Sequence, residues 1–526
     1  MKYPIGIQTL ENIINEGYVY VDKTEMVYSL VNNGKVYFLS RPRRFGKSLL
    51  ISTLESYFLG KKELFKGLAI EKLETEWKKY PVFHIDFNGT NFTTGDALQN
   101  RISYHLRKWE EEYNVKQESN IELGLRFYNI LEAAHQQTGL GCVVLVDEYD
   151  KPLLDVLDSN LTTEVDGNKI SLEDKNREIL KAFYSTFKLA DQHLRFVFLT
   201  GVTKFSQVSV FSGFNQPNDI SMDVAYDTLC GITDEEIDKY FSEPVAEMAE
   251  MRKISVEEMR RRLRKTYDGY HFSPRMKGVH NPFSLLNTFS KKAISDYWFS
   301  TGTPTYLIRL LNHFNENLID LTNKYYAKSR FYEYKADKEE PLPMIYQSGY
   351  LTIKGYREDR DTFLLDYPND EVKRGFVTLA TNNYLKQEGG VENWIDQMLD
   401  ALEESDLDQL RDVFTAFLAS IPYTMRDKNA MEKHFHYTFY LIFRLISTYH
   451  VYTEKCQSHG RVDCIVETKN DIFIFEFKLD GTAKEALQQI NEKGYAQEYL
   501  ADKRKIHKIG CSFSSETGTI EEWAVG

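Results

Sequence analysis

Cysteine is scarce in this sequence. There are five, at positions 142, 230, 456, 464 and 511, an odd number with no C-x-x-C pair. Neither a disulfide framework nor a paired-cysteine zinc site fits that usage, and a reducing compartment does. Long apolar runs are missing too. The most apolar stretch, Tyr437 to Ile446, contains Arg444 and is read as a core helix too short to cross a bilayer. Residues 1–20 carry Glu11 and Glu16 where a secretory leader needs an unbroken apolar stretch. The expectation is a cytoplasmic protein with no membrane partner. A basic excess is also absent: 65 Lys and Arg face 78 Asp and Glu, for a net charge of -13. That excludes a uniformly basic nucleic-acid coat, though not local basic patches. No internal repeat of 20–50 residues appears, so solenoids and propellers are set aside.

What is present can bury real cores: 42% of the 526 residues are hydrophobic and 14% aromatic, and the length suggests three or four domains at about 150 residues each. Val36–Leu39, Val82–Phe87, Cys142–Val146 and Phe196–Leu199 are short apolar runs separated by helical patterns. They read as buried strands of a parallel sheet with crossover helices, an α/β fold. The pattern turns helical and charged over 220–330, is mixed over 331–425 and changes again over 426–526. In that last part a long helix (Met431–Ser447) precedes a hairpin, Val462–Glu467 and Ile472–Leu479. A helix (Lys484–Tyr499) and a strand near Ile506–Ser512 follow.

The strand Val36–Leu39 runs into Ser40-Arg41-Pro42-Arg43-Arg44-Phe45-Gly46-Lys47-Ser48 and then into a helical segment. A phosphate cradle needs bare backbone N–H groups at a helix N-terminus, an ammonium for the outer phosphates and a hydroxyl for Mg²⁺. Gly46, Lys47 and Ser48 supply these; Arg41 stands where the usual first glycine would be. The strand Cys142–Val146 ends in Asp147-Glu148-Tyr149-Asp150. Asp147 is the candidate for holding Mg²⁺ and Glu148 for polarising the attacking water. Thr200, at the end of Phe196–Leu199, is the candidate for the γ-phosphate or the lytic water, with Thr203 in reserve. For Arg41, Arg43 and Arg44, contact with phosphate or DNA weighs evenly against solvated loop charge.

A second constellation lies near the C-terminus. Asp463 opens a strand, and Glu476-Phe477-Lys478 follows thirteen residues later. Alternation along a strand puts Glu476 and Lys478 on one face. A carboxylate and an ammonium ending so apolar a strand are costly without a partner such as a metal or a phosphate. If the hairpin brings Asp463 alongside, two carboxylates and a lysine converge, the set that divalent-metal phosphodiester hydrolysis needs. Glu432 and His436, four apart on one helix, with Glu454 and Gln489, are candidates for the surrounding shell. The competing reading is a cross-strand salt bridge at a sheet edge.

Arg41-Pro42-Arg43-Arg44-Phe45-Gly46-Lys47-Ser48, Val146-Asp147-Glu148-Tyr149-Asp150 and Leu199-Thr200-Gly201-Val202-Thr203-Lys204-Phe205 together resemble the AAA-ATPase-like family. Gly460-Arg461-Val462-Asp463 with Phe475-Glu476-Phe477-Lys478 and Gln489 to Tyr495 resembles the PD-(D/E)XK nuclease domain fused to it. The resemblance covers nearly the whole chain, including Tyr267–Phe272 and Asn281-Pro282-Phe283. It implies a P-loop AAA-like ATPase domain (1–219), a helical lid (220–330), a middle mixed region (331–425) and a PD-(D/E)XK, restriction-endonuclease-like α/β domain (426–526). It implies ATP and Mg²⁺ (or Mn²⁺) as cofactors, with Arg43 to Ser48, Asp147 and Thr200 around the nucleotide. Asp463, Glu476 and Lys478 form the nuclease set, with the two carboxylates on the metal. Val462 replaces the proline that names the motif, a residue that does no chemistry.

The expected partner is nucleic acid, DNA first, with oligomeric state left open. The basic runs Arg260–Lys265 and Lys503–Lys508 are its candidate phosphate contacts, weighed against solvated surface. The leading expectation is an ATP-binding, hydrolysing protein whose nucleotide state gates a metal-dependent nuclease. Its rival is a nucleotide-switched regulatory or scaffold ATPase whose nuclease-like domain does not cut.

Overall fold

The structure, a computed structural model, describes residues 1–117, 121–157, 159–165, 167–205, 217–301, 307, 309, 321–332, 340–385, 391–420, 438, 442, 454–455, 463–468, 470–499 and 501–526. Glu432 and His436 lie outside these, as do Gly460, Arg461 and Val462 and nearly all of the expected helix Met431–Ser447. The chain packs as two compact units, Met1–Val372 and Lys373–Gly526. Among the described residues no helix is long and apolar enough to cross a membrane.

The first unit is built on a five-stranded sheet. Its order is Val82–Asp86, Cys142–Asp147, Leu194–Gly201, Val36–Ser40 and Asn218–Asp219, and every pairing is parallel. All six residues of Cys142–Asp147 are buried, as a strand covered on both faces requires. Crossover helices cover the sheet through aromatic contacts. Phe83 meets Trp109 edge-on at 5.1 Å, and Phe127 stacks on Phe183 at 5.3 Å. The helix Leu172–Leu189 starts at Ser171, whose side chain accepts from the Asp174 amide and so satisfies one orphan donor of the first turn.

The expected helical region forms Asp234–Tyr240, Ser242–Met251, Val256–Tyr267 and Pro282–Lys291. Their shared core includes Phe241, Met248, Met259, Leu263, Tyr267 and Phe289. A three-stranded antiparallel sheet follows, ordered Lys324–Ala327, Thr362–Asp366, Thr352–Arg357. The strands Thr352–Arg357 and Thr362–Asp366 and the helices after them lie in the region read as mixed from the sequence.

The second unit carries helices Glu392–Glu403 and Leu407–Ser420. The chain turns between them where Ser405 adopts φ +56°. Its five-stranded sheet runs Glu454–Lys455, Cys464–Glu467, Asp471–Leu479, Lys505–Phe513, Ile520–Val525. Asp471–Leu479 and Lys505–Phe513 pair in parallel, joined through the helix Ala483–Glu492, and the other pairs are antiparallel. That helix is shorter than the expected Lys484–Tyr499, because Gly494 takes φ +66° and ends the helical run. The α/β fold class holds.

Candidate nucleotide and nuclease sites

Four strands of the first sheet end on one edge. Leu39 pairs with Thr200, Ser40 with Gly201, and Asp86 with Asp147. The carboxyl ends of a parallel sheet, where strand order reverses, form the crevice in which such folds bind ligands. From Ser40 the loop reaches the helix Lys47–Phe58, capped by Gly46 at φ +90°, a conformation that costs glycine nothing. Free amides and the positive dipole end there attract anions. A cavity of about 420 Å³ opens at this point, a size that suits a small-molecule ligand. Its polar lining includes Arg43, Arg44, Lys47, Ser48, Glu148 and Asp150; its apolar lining includes Pro4, Ile7, Phe283 and Leu286.

The Lys47 ammonium donates to the carbonyls of Arg41 and Pro42, both at 3.0 Å. Burial lowers its pKa, opposed by Glu148, Asp147 and Asp150. Burial likewise raises Asp147 and Glu148; the Ser48 hydroxyl bonds Asp147 and, with Lys47, favours the ionised form. A hydroxyl beside a carboxylate is a hard oxygen pair that fits Mg²⁺. Glu148 sits at φ +50°, in a sparsely populated region for a non-glycine residue, as strained residues at functional sites do.

The second aspartate of the Asp147-Glu148-Tyr149-Asp150 run has a part that sequence reasoning missed. Asp150 is buried, and its Oδ2 accepts from the Val202 amide (3.0 Å), the Thr203 amide (2.6 Å) and the Thr203 hydroxyl (2.7 Å). The Tyr149 hydroxyl donates to the Thr203 carbonyl at 2.9 Å and accepts from the Phe205 amide at 3.1 Å. These bonds lace one strand end to the other and absorb Thr203. The Thr200 hydroxyl donates to the Leu39 carbonyl at 2.9 Å and does not line the cavity.

Arg41 departs from the phosphate or DNA contact weighed for it. It is buried, and its guanidinium donates to the carbonyls of Ser40, Ser221 and Tyr226 while stacking over Phe272 at 4.1 Å. It is a strut under the loop. The Phe45 ring packs edge-on against Tyr270 (4.7 Å) and Phe272 (5.5 Å), which leaves only its backbone for a ligand. The Trp298 indole donates to the Arg43 carbonyl at 3.0 Å, and the Arg44 guanidinium lies 5.1 Å from the Phe283 ring centre.

In the second unit Cys464 pairs with Phe475, so the preceding residue, Asp463, falls opposite Glu476. Asp463 Oδ2 accepts from the Phe477 amide at 2.7 Å. Lys478 Nζ donates to Gln489 Oε1 at 2.6 Å, and the Gln489 amide donates to Glu476 Oε1. Glu476 is 3% exposed, and its Oε2 has no partner among the described residues. Burial first, and then Asp463, push its pKa up to about 7. A buried oxygen without a donor, beside a second carboxylate, fits a divalent cation. The structure therefore gathers Asp463, Glu476, Lys478 and Gln489 in one place. Glu454 enters the same sheet opposite Val466.

Sequence reasoning also missed what seats Gln489. Gly510 pairs with Glu476, and a Cβ there would run into the Ala483 carbonyl and come 2.7 Å from the Leu487 amide. The helix rests directly on that glycine. Glu522 Oε2 accepts from the Ala483 amide at 2.9 Å and anchors the helix start.

Every basic side chain of the first basic run is ion-paired, and in the second run Arg504 and His507 are. Arg260 meets Asp238, Arg261 and Arg262 meet Glu258, Arg264 meets Asp234, and Lys265 meets Asp370. Arg504 meets Glu467 and Asp502, and His507 meets Asp471.

An anion cradle on a parallel sheet and a carboxylate–lysine centre on a mixed one define a P-loop protein joined to a nuclease-type unit. Residues 4–211 match the family described as "Predicted AAA-ATPase", and residues 430–523 match the "PD-(D/E)XK nuclease superfamily". An "Uncharacterized protein in vnfD 5'region" of Azotobacter chroococcum mcd 1 is 36% identical over 533 residues, spanning 100% of this chain and 98% of the relative. The chain belongs to this family of AAA-ATPase-like proteins carrying a PD-(D/E)XK nuclease superfamily domain.

Proposed function

We propose that this protein binds and hydrolyses ATP with Mg²⁺ in its first unit, cleaves nucleic acid, DNA first, in its second, and couples the two through nucleotide state. Lys47 and the amides around Gly46 hold the phosphates, flanked by Arg43 and Arg44. Ser48 and Asp147 hold the cation, and Glu148 takes the proton of the attacking water. In the second unit Asp463 and Glu476 would hold Mg²⁺ or Mn²⁺, which supplies an acidified water and offsets charge on the scissile phosphate. Lys478 steadies the developing negative charge, and Gln489 orients both Lys478 and Glu476.

The observation that carries this reading is the convergence of Asp463, Glu476, Lys478 and Gln489, with one buried carboxylate oxygen left without a donor among the described residues. The test pairs two variants. Lys47→Ala should weaken ATP binding at least tenfold, the loss of about one charge-assisted hydrogen bond, as read by nucleotide titration. Asp463→Ala should abolish Mn²⁺-dependent cleavage of DNA and leave ATP binding intact. Cleavage that survives Asp463→Ala refutes the nuclease assignment, and unchanged ATP affinity in Lys47→Ala refutes the nucleotide one.

A further inference from the structure

Among the helices of the first unit, two acidic side chains and a histidine meet at a place that neither function uses. The helix Asp234–Tyr240 begins with Asp234, the helix Val256–Tyr267 ends at Asp268, and His280 forms an antiparallel bridge with Ile232. One potential ligand atom from each of Asp234, Asp268 and His280 lies within 4.8 Å of the other two.

The His280 ring is completely buried. Its Nδ1 sits 3.2 Å from the Ile232 carbonyl, and a carbonyl only accepts, so the ring proton belongs on Nδ1. That leaves Nε2 a bare lone pair. It lies 3.8 Å from Asp234 Oδ1, beyond hydrogen-bond range, and has no hydrogen-bond partner among the described residues. Asp268 Oδ1, 3.6 Å from Nδ1, is buried and also lacks a hydrogen-bond donor among them. Nε2 and Asp234 Oδ1 are thus two acceptors facing one another with no donor between them, an arrangement that costs free energy unless a cation or an ordered water fills it.

The surroundings hold the acceptors in place. Arg264 Nε donates to Asp234 Oδ2 at 2.7 Å, occupying that oxygen and leaving Oδ1 toward the ring, the kind of outer contact that orients metal ligands. Gly278 leaves room for the second carboxylate, since a Cβ there would come 2.9 Å from Asp268 Oδ1.

We propose that Asp234, Asp268 and His280 bind a divalent transition-metal cation of the zinc class, through His280 Nε2 and one oxygen of each aspartate, with solvent completing the coordination. A nitrogen-and-oxygen set with imidazole suits zinc, cobalt or nickel, whereas Mg²⁺ prefers oxygen alone. Two atoms sharing an ion at about 2.1 Å each lie at most about 4.2 Å apart. The 3.8 Å span between His280 Nε2 and Asp234 Oδ1 already meets that limit, and Asp268 belongs to the same cluster, whose ligand atoms all lie within 4.8 Å of one another. His280 stands just before Pro282 and Phe283, which line the nucleotide cavity. A cation here fastens that strap to both helices.

The test uses the full-length chain, stripped with a chelator, loaded with Zn²⁺ without nucleotide and desalted, with bound metal counted by mass spectrometry. Asp463→Ala is compared so that ions at the nuclease centre are accounted for. His280→Gln and Asp268→Asn should each carry one zinc equivalent fewer than the parent, and should lower the count by the same one equivalent again when combined with Asp463→Ala. Zn²⁺ should raise the melting temperature of the parent and not that of His280→Gln. Asp234, partly exposed at a helix start, gives a milder variant: Asp234→Asn should fold and bind zinc at least tenfold more weakly. If His280→Gln fails to fold, Asp234→Asn decides. Equal zinc content in parent and Asp234→Asn, or no zinc retained by the parent, overturns the proposal and assigns the gap to water.

Discussion

Glu476→Gln should make the second unit more stable at pH 8, and by an amount that the buried carboxyl itself sets. Glu476 is 3% exposed, and its pKa stands at about 7 against an ordinary 4.5. Each pH unit of that difference is worth about 1.4 kcal/mol, so the ionised side chain costs the fold about 3 kcal/mol. The sign follows from linkage. Below pH 4.5 the carboxyl is protonated in both folded and unfolded chains, and the cost is absent. As pH rises from 4.5 to 7 the unfolded chain ionises first and stability is lost; above 7 the full cost remains. Glutamine keeps the shape and carries no charge. Hydrogen exchange of the amides in Asp471–Leu479 reads the opening free energy of this unit. Glu476→Gln should slow that exchange at pH 8 by about two orders of magnitude and make little difference at pH 4.5. Added Mn²⁺ should stabilise the parent at pH 8 and do less for the variant, which has lost an anionic ligand. An equal or lower opening free energy in Glu476→Gln at pH 8, or a gap that ignores pH, would refute this reasoning.

Restoring a glycine at the head of the phosphate loop, Arg41→Gly, should not improve nucleotide binding and should cost about 3–5 kcal/mol in urea unfolding of the first unit, because several carbonyls lose a charged donor and Phe272 loses its stacking partner. Gly510→Ala should displace the helix Ala483–Glu492, destabilise the second unit by about 1–3 kcal/mol and depress cleavage through Gln489, with ATP affinity unchanged; a nuclease assay beside nucleotide titration separates the two. Thr200→Val should cost about 1 kcal/mol in stability while changing ATP turnover only a few-fold, since that hydroxyl serves Leu39. A loss of turnover of a thousandfold would instead return Thr200 to the γ-phosphate.

Much of the fold was legible because hydrophobic period and strand-end chemistry are local. The four strands expected of the parallel sheet are apolar runs, three of which end in a phosphate-loop sequence, an acidic run or a threonine–glycine pair, and each expected run overlaps its observed strand. The final strand, Ile520–Val525, escaped notice because Glu521 and Glu522 break its apolar run, as an edge strand allows. Helix ends were less legible: Ser405 and Gly494 stop helices through positive φ, which composition alone does not announce.

Residue identity therefore determined which chemistries the chain carries: a lysine and a serine behind Gly46, paired carboxylates after an apolar strand, and Asp463 with Glu476 and Lys478. Packing alone decided which of those groups face a ligand. The charge of Arg41, weighed evenly between a phosphate or DNA contact and solvated loop, is a buried strut in the fold, while Asp150, given no role from sequence, is the clasp between two strand ends. The reason is physical. A side chain's type fixes what it can donate or accept, but its partner comes from elements distant along the chain that only close packing brings within three ångströms.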